Sequence, residues 1–210
     1  LLVVTHGDID HAGGAAAVVR AFGPRAGWLP ARPACARDPA AVERLVRAAR
    51  RTGALVRRAR RGDSLQIGGA RLDVLNPPAE NRPPRDANED SLVAVLSAGG
   101  RRILLAGDAG AAAESSMRSD EVRADLLKAG HHGSRSASSE AFLAAVKPSL
   151  AFISCGRMNR FGHPHRETLA RLQSARVRVC RTDLHGAVWV ELLAAATRLS
   201  SSCALSASSE

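Results

Sequence analysis

The chain has 210 residues, is 45% hydrophobic but only 3% aromatic, and lacks Tyr; it can bury one full core of Ala, Val, Leu and Ile, as one domain or a small pair. The formal net charge of +10 suits a polyanionic partner, but Lys stands only at 128 and 147 and the other basic residues are Arg in an Ala-rich chain. That is the pattern of a GC-rich genome, so charge supports nucleic-acid binding only weakly. No stretch reaches the roughly 20 apolar residues of a membrane span, and no charged segment followed by an apolar one marks a signal peptide. The four cysteines, Cys35, Cys155, Cys180 and Cys203, are scattered without a C-x-x-C pair, which fits buried free thiols better than a zinc knuckle or a disulfide framework. The opening at Leu1, in mid-strand and without Met, reads as a piece cut from something longer.

In chain order, 1–5 reads as a buried strand, followed by a Gly-rich bend over 6–14 and an Ala/Val helix over 15–22. The Pro-rich stretch 24–39 reads as a loop. Asp38 is placed to cap a helix over 40–52 that opens with Pro39 and gathers Val42, Leu45, Val46 and Ala49 on one face. The period then alternates: 54–60, 64–67 and 70–75 are expected strands, the last two joined by Gly68-Gly69. Polar, Pro-rich 77–90 is expected to be a mobile loop, and 91–97 with 101–106 a hairpin turning at Gly99-Gly100. A helix is expected from Asp108 to about 119, after which strands (124–128, 149–154, 176–181, 187–193) alternate with helices (139–146, 166–175). These elements predict a layered α/β fold over 1–193, with a Ser/Ala-rich, frayed tail over 194–210.

Every cluster of acidic residues and histidines follows an expected strand, where a rigid scaffold presents chemistry. "THGDIDHAGG" supplies His6, Asp8, Asp10 and His11, enough donors from one tight bend to approach a divalent cation. Alone, the same letters fit a helix cap with surface histidines. "ILLAGDAG" ends a strand on Asp108, which alone is a common turn. "LLKAGHHGSRSASS" presents His131, His132 and Ser134; adjacent histidines on an extended chain point opposite ways, one to a metal and one to substrate. "SCGRMNRFGHPH" presents Asn159, His163 and His165. Together, four post-strand loops hold His6, His11, His131, His132 and His163 with three aspartates.

These motifs, with "NEDSLVAVL" (Asn88 and Ser91) and "RTDLHGAV", resemble a metallo-β-lactamase-fold domain, and within that superfamily the C-terminal domain of ComEC-type DNA-uptake (competence) proteins. The likeness spans 1–190. It implies an αββα sandwich with a dinuclear site at the strand ends. His6 and Asp8 would bind one ion, Asp10 and His11 the other, Asp108 would bridge, and His131 and His163 would complete the shells. The chain departs from the superfamily in three ways. Asp8 stands where the common His-x-His-x-Asp-His motif has its second His, no histidine lies between His11 and His131, and the chain is expected to lack the family's opening strands and preceding channel region. The extra carboxylate shifts preference from Zn²⁺ toward Mn²⁺ or Mg²⁺, with Zn²⁺ kept among the expected ions.

The expected activity is metal-dependent phosphodiester hydrolysis by two ions, directed at DNA. Asp10 would orient or deprotonate the water, and Lys128, His132, Ser134 and Asn159 would contact phosphate or leaving group. Arg57, Arg58, Arg60 and Arg61 would touch the nucleic-acid backbone, or form a solvated strand edge. The resemblance implies a DNA partner, single-stranded or the non-transported strand, degraded during transformation. It also implies a partner in the membrane-channel region of the same parent protein, and a place on the outer, periplasmic face of the inner membrane. The alternatives are hydrolysis of a small phosphoester, thioester or lactam, or a non-catalytic module that docks DNA at a channel mouth.

Overall fold

The computed structural model describes residues 1–31, 38–79, 86–193 and 196–201. The opening apolar run forms β1 (Leu2–Val3), and the bend after it carries two helices, α1 (Ile9–Ala12) and α2 (Ala15–Phe22). The stretch expected to be a loop then contains β2 (Ala26–Pro30), before α3 (Pro39–Thr52) and β3 (Leu55–Ala59). The ends of α3 follow from its letters. The Asp38 carboxylate accepts from Ala41 N at 3.1 Å, Pro39 occupies the first turn, and Gly53 at φ +72° leaves the helix through a left-handed residue. The strands β1, β2 and β3 form a parallel three-stranded sheet with β2 in the middle.

The second sheet begins with antiparallel neighbours, β4 (Ser64–Ile67), β5 (Ala70–Asn76), β6 (Val93–Ala98) and β7 (Arg101–Leu105). It continues after α4 (Ala111–Ser116) and α5 (Ser119–Val122) with β8 (Leu126–Lys128), then α6 (Glu140–Val146), β9 (Leu150–Ile153), α7 (Arg166–Ser174) and β10 (Arg178–Arg181). The strands from β7 to β10 run parallel, and the order is β10-β9-β8-β7-β6-β5-β4. The short α8 (Thr182–His185) leads into a hairpin of β11 (Val188–Leu193) and β12 (Ala196–Ser201). Thus 196–201, expected to belong to a frayed tail, pairs with β11; 202–210 lies outside the described residues, as do Cys35 within 32–37 and 80–85 of the expected mobile loop.

Four layers follow from where the apolar residues fall. Val19 of α2, Leu45 of α3 and Leu29 of β2 pack on the outer side of the small sheet. Trp28, Leu72, Val74, Leu92 and Ala94 fill the space between sheets. Leu104, Leu127 and Ile153 bury the other face of the large sheet against Phe142, Val146 and Leu172. Each such fully buried side chain contributes about 1.5–3 kcal/mol. Residues alternate faces along β6, with Ala94 between the sheets and Val93 and Val95 toward the helices, the period of two that a strand imposes. Leu126, Leu150 and Cys180 on the inter-sheet face are covered by Val188 and Val190 of the hairpin. The molecule is an αββα sandwich.

This arrangement gathers the motif loops at one edge. Because β7, β8 and β9 are parallel neighbours, the segments carrying Asp108, His131–His132 and His163 leave the same end of the sheet. The loop after β1 is tied to them where Leu92 N donates to Thr5 O at 2.7 Å, a bond between the end of the small sheet and the entry to β6.

Candidate metal centre

His6, Asp8 and Asp108 are buried at the floor of this edge, while the Asp10 side chain remains 56% exposed at its mouth. Asp8 precedes α1 without a side-chain cap bond, and Gly14 rather than Asp10 starts α2. Asp108 caps nothing either, since Gly110 stands at the start of α4. The helix-cap reading of these carboxylates therefore fails, and they point at one another's histidines instead.

Asp10, His11, Asp108 and His132 each offer a donor atom, all within 4.8 Å of one another. His11 Nε2 lies 3.2 Å from Asp108 Oδ1 and 3.1 Å from His132 Nε2, and His132 Nε2 lies 3.4 Å from Asp10 and 3.5 Å from Asp108. On the floor, His6 Nε2 is 3.9 Å from both Asp8 and Asp108. His6 Nε2 and Asp108 Oδ1 are buried without a hydrogen-bond partner. Buried polar atoms are normally satisfied, so two such atoms left over beside converging imidazoles and carboxylates fit a divalent cation. A mixed imidazole and carboxylate set of this kind suits Zn²⁺ or Mn²⁺.

Hydroxyl groups behind the histidines set their orientation. Thr5 Oγ1 sits 3.1 Å from Nδ1 of both His6 and His11, and Ser91 Oγ lies 3.3 Å from His6 Nδ1 while accepting from Asp108 N at 3.2 Å. With Nδ1 held from behind, Nε2 faces the cluster. Thr5 was not singled out from sequence and Ser91 was noted only as a motif letter, because a hydroxyl near a strand end carries no ligand signal by itself.

Electrostatics match the geometry. Burial, then the neighbouring His11, pulls His6 down to about 4, against the nearby carboxylates. Burial alone would raise Asp108, but contacts from His11 and His132 and the positive charge of Lys128 hold it well below the usual carboxylate range. The Asp108 contact raises His132 against its burial. Burial lowers Lys128, opposed by Asp108 and Asp10, and its Nζ donates to Gly107 O at 3.2 Å.

The adjacent histidines take roles other than those expected. His131 and His132 both adopt left-handed backbone, φ +46° and +53°, so the alternation of an extended chain does not apply. His132 Nδ1 donates to Ser154 O at 2.8 Å and turns Nε2 into the cluster, whereas the His131 ring stands against His163, with centroids 5.5 Å apart. In the structure His132, expected to touch substrate, stands in the converging group of Asp10, His11 and Asp108, and His131 and His163, expected as ligands, pack against each other beside it. Two expected phosphate contacts are engaged within their own loops. Ser134 is buried and pairs with Ser136 Oγ at 3.2 Å, and Asn159 bonds Gly156 O and both backbone groups of His163.

Three arginines of the run in and just after β3 are engaged by the protein itself. Arg57 pairs with Asp63 at 2.6 Å and covers Trp28, and Arg61 donates to Leu75 O and Ser116 O at 3.0 and 3.1 Å. Arg58 reaches Pro30 O at 3.5 Å, while Arg60 is exposed. A more open basic surface is a groove of about 390 Å³ between α2 and α3, lined by Arg20, Arg44, Arg47 and Arg51. It reaches Gly13, two residues beyond His11.

Fold and donor set define a metallo-hydrolase, and the chain belongs to the metallo-beta-lactamase superfamily, whose profile matches residues 1–157. Over 189 residues the chain is 35% identical to ComE operon protein 3 of Bacillus subtilis, covering 89% of this chain and 24% of that protein. It is 34% identical over 126 residues to competence protein ComA of Neisseria gonorrhoeae, covering 59% of this chain and 18% of that one. The chain therefore spans a quarter or less of these relatives. Among solved structures, the metallo-beta-lactamase fold protein YhfI from Bacillus subtilis superposes with a TM-score of 0.52 at 12% identity, over 85% of this chain and 72% of that one, a likeness of fold.

Proposed function

We propose that residues 1–193 form a divalent-metal-dependent phosphodiesterase domain that hydrolyses DNA, as part of a longer membrane-channel protein of DNA uptake. The observation that carries this reading is the convergence of Asp10, His11, Asp108 and His132 on one point at an open edge of the sandwich. Relatives named for competence support DNA as the substrate. Three carboxylates among the donors favour Mn²⁺ or Mg²⁺ over Zn²⁺. Asp10, His11, Asp108 and His132 would hold one ion, and His6, Asp8 and Asp108 a second, less complete site.

When bound, such ions supply a nucleophilic water at neutral pH and offset charge on the scissile phosphate. The chain's own groups divide the remaining work. Asp10, exposed at the mouth, is placed to orient the water and accept its proton. Lys128 faces Asp108 and Asp10 and supplies positive charge beside the phosphate. Ser134 and Asn159 hold the two flanking loops in shape. In this reading the domain works beside the inner membrane, on its outer face, as part of a longer protein; among the described residues no helix is long and apolar enough to cross a membrane.

The test is cleavage of supercoiled and single-stranded DNA by the 210-residue chain with Mn²⁺, against Asp8→Ala and Asp108→Ala. Loss of cleavage in Asp108→Ala and a marked fall in Asp8→Ala are expected. Cleavage undiminished in both variants overturns the reading.

A further inference from the structure

Phe22, Phe161 and Trp189 are the aromatic side chains exposed among the described residues, and of these Phe161 sits on a loop beside the metal centre. Between β9 and α7, Met158 is 95% exposed and Phe161 61% exposed. Slack chain does not account for this. Asn159 Nδ2 donates to Gly156 O at 2.8 Å and to His163 O at 2.6 Å, and Asn159 Oδ1 accepts from His163 N at 2.9 Å, so the loop is closed on itself with Phe161 held outward.

On its inner side the Phe161 ring is nearly parallel to His163, with centroids 5.8 Å apart and planes at 24°. His163 is in turn nearly parallel to His132, at 6.2 Å and 21°. Phe161 is therefore two ring steps from the imidazole whose Nε2 lies 3.4 Å from Asp10 and 3.5 Å from Asp108. The Arg160 guanidinium lies 5.1 Å from the Phe161 centroid. It is a flexible cation that can leave the ring for a phosphate while a base takes the ring face.

We propose that Phe161, flanked by Arg160 and Met158, is a nucleobase-stacking subsite that holds one unpaired base beside the metal centre and so selects single-stranded over duplex substrate. The proposal rests on the reading of DNA as substrate and names the form of DNA taken. Stacking needs an open base face, which a duplex hides within its own stack and a single strand offers at any sequence. A protein partner would require a broader apolar surface than one ring carrying a guanidinium and backed by imidazoles.

The test uses a short single strand containing 2-aminopurine and the matching duplex, bound to the 210-residue chain in chelator so that neither is cut. The wild-type chain is expected to quench 2-aminopurine in the single strand. Phe161→Ala should weaken single-strand binding by roughly 5- to 100-fold, the range that one to three kcal/mol of stacking per base implies. Phe161→Trp should restore binding and quenching, and duplex affinity should not change. No quenching by wild type, an unchanged single-strand affinity in Phe161→Ala, or an equal loss on duplex each overturns the proposal. Failure of Mn²⁺-dependent cleavage with Phe161-dependent binding intact would instead sink the hydrolase reading and leave the subsite standing.

Discussion

His132 Nε2 lies 3.1 Å from His11 Nε2 although the two residues are 121 positions apart. His132 Nδ1 faces the Ser154 carbonyl, which only accepts, so the ring proton sits there and the Nε2 lone pair points inward. His11 Nδ1 is held from behind by Thr5 Oγ1, a hydroxyl that can donate or accept. The two Nε2 atoms, beside Asp10 and Asp108, therefore meet across a proton or across a cation. In the chain without metal the Asp108 contact raises His132 and favours its protonated form; a divalent cation bound there would displace that proton.

The first prediction separates the adjacent histidines. His132→Ala removes a converging donor and should lower Mn²⁺ affinity at least 100-fold by titration calorimetry. His131→Ala, whose ring packs on His163, should change it less than tenfold. Equal losses in the two variants would return His131 to the ligand set.

Much of this architecture was legible in the sequence, for reasons that can be located. Asp38, Pro39 and Gly53 mark both ends of α3, and the Gly-Gly pair at 68–69 marks the turn between β4 and β5. The small sheet's central strand was hidden because Ala26–Pro30 lacks β-branched residues and ends in Pro, so only its place between β1 and β3 makes it a strand. Four loops of acids and histidines announced a metal centre, but not which of two neighbouring rings enters it. That depends on left-handed backbone at two non-glycine residues, and on a carbonyl 22 residues further along the chain, at Ser154. The Arg57–Arg61 run looked open in sequence because its partners, Asp63, Leu75 O and Ser116 O, meet it only after folding.

Thr5→Val is nearly isosteric and leaves the core unchanged, but it removes the hydroxyl shared by His6 and His11 Nδ1. Loss of an outer partner of a ligating histidine typically costs 10–100-fold in metal affinity, and that range is expected here. Thr5→Ser, which keeps the oxygen, should retain most of the affinity. A Thr5→Val chain that binds Mn²⁺ like wild type would show that the ring orientations are set by packing alone.

Acid should destabilise the metal-free chain through His6. Above pH 6.5 neither folded nor unfolded His6 is protonated; below it the unfolded chain gains a proton that the folded one, with its value near 4, refuses. Stability is therefore full above 6.5 and falls as pH drops toward 4, by at most about 3 kcal/mol. His163, also lowered to about 4 by burial and by neighbouring imidazoles, acts in the same sense. His132 acts in the opposite sense: its raised value favours the folded chain in acid, and that contribution is lost as pH rises through its folded value. Urea midpoints in chelator between pH 7.5 and 4.5 should fall for wild type and fall less steeply for His6→Gln. Identical slopes would remove His6 as the cause.

Where a nucleic-acid backbone leaves the metal centre can be read from charge. The groove between α2 and α3 begins at Gly13 and carries Arg20, Arg44, Arg47 and Arg51, all exposed. Arg44 and Arg47 have acidic neighbours at 3.4 and 3.9 Å in solvated pairs, which contribute little to stability and leave the guanidinium able to exchange partners. Arg20 and Arg51 lie in the last turns of their helices, where a cation also complements the helix dipole. Dipole compensation alone predicts a small loss of stability on charge reversal and no change in DNA binding. A phosphate contact predicts that Arg20→Glu and Arg51→Glu weaken binding and flatten its salt dependence, by about 0.7 in log–log slope per lost contact on a single strand. Arg57→Glu, in a position already paired with Asp63, should leave the slope near that of wild type. Binding measured across a salt series decides between them, and equal slopes in Arg20→Glu, Arg51→Glu and wild type would leave these arginines as helix-end and surface charges.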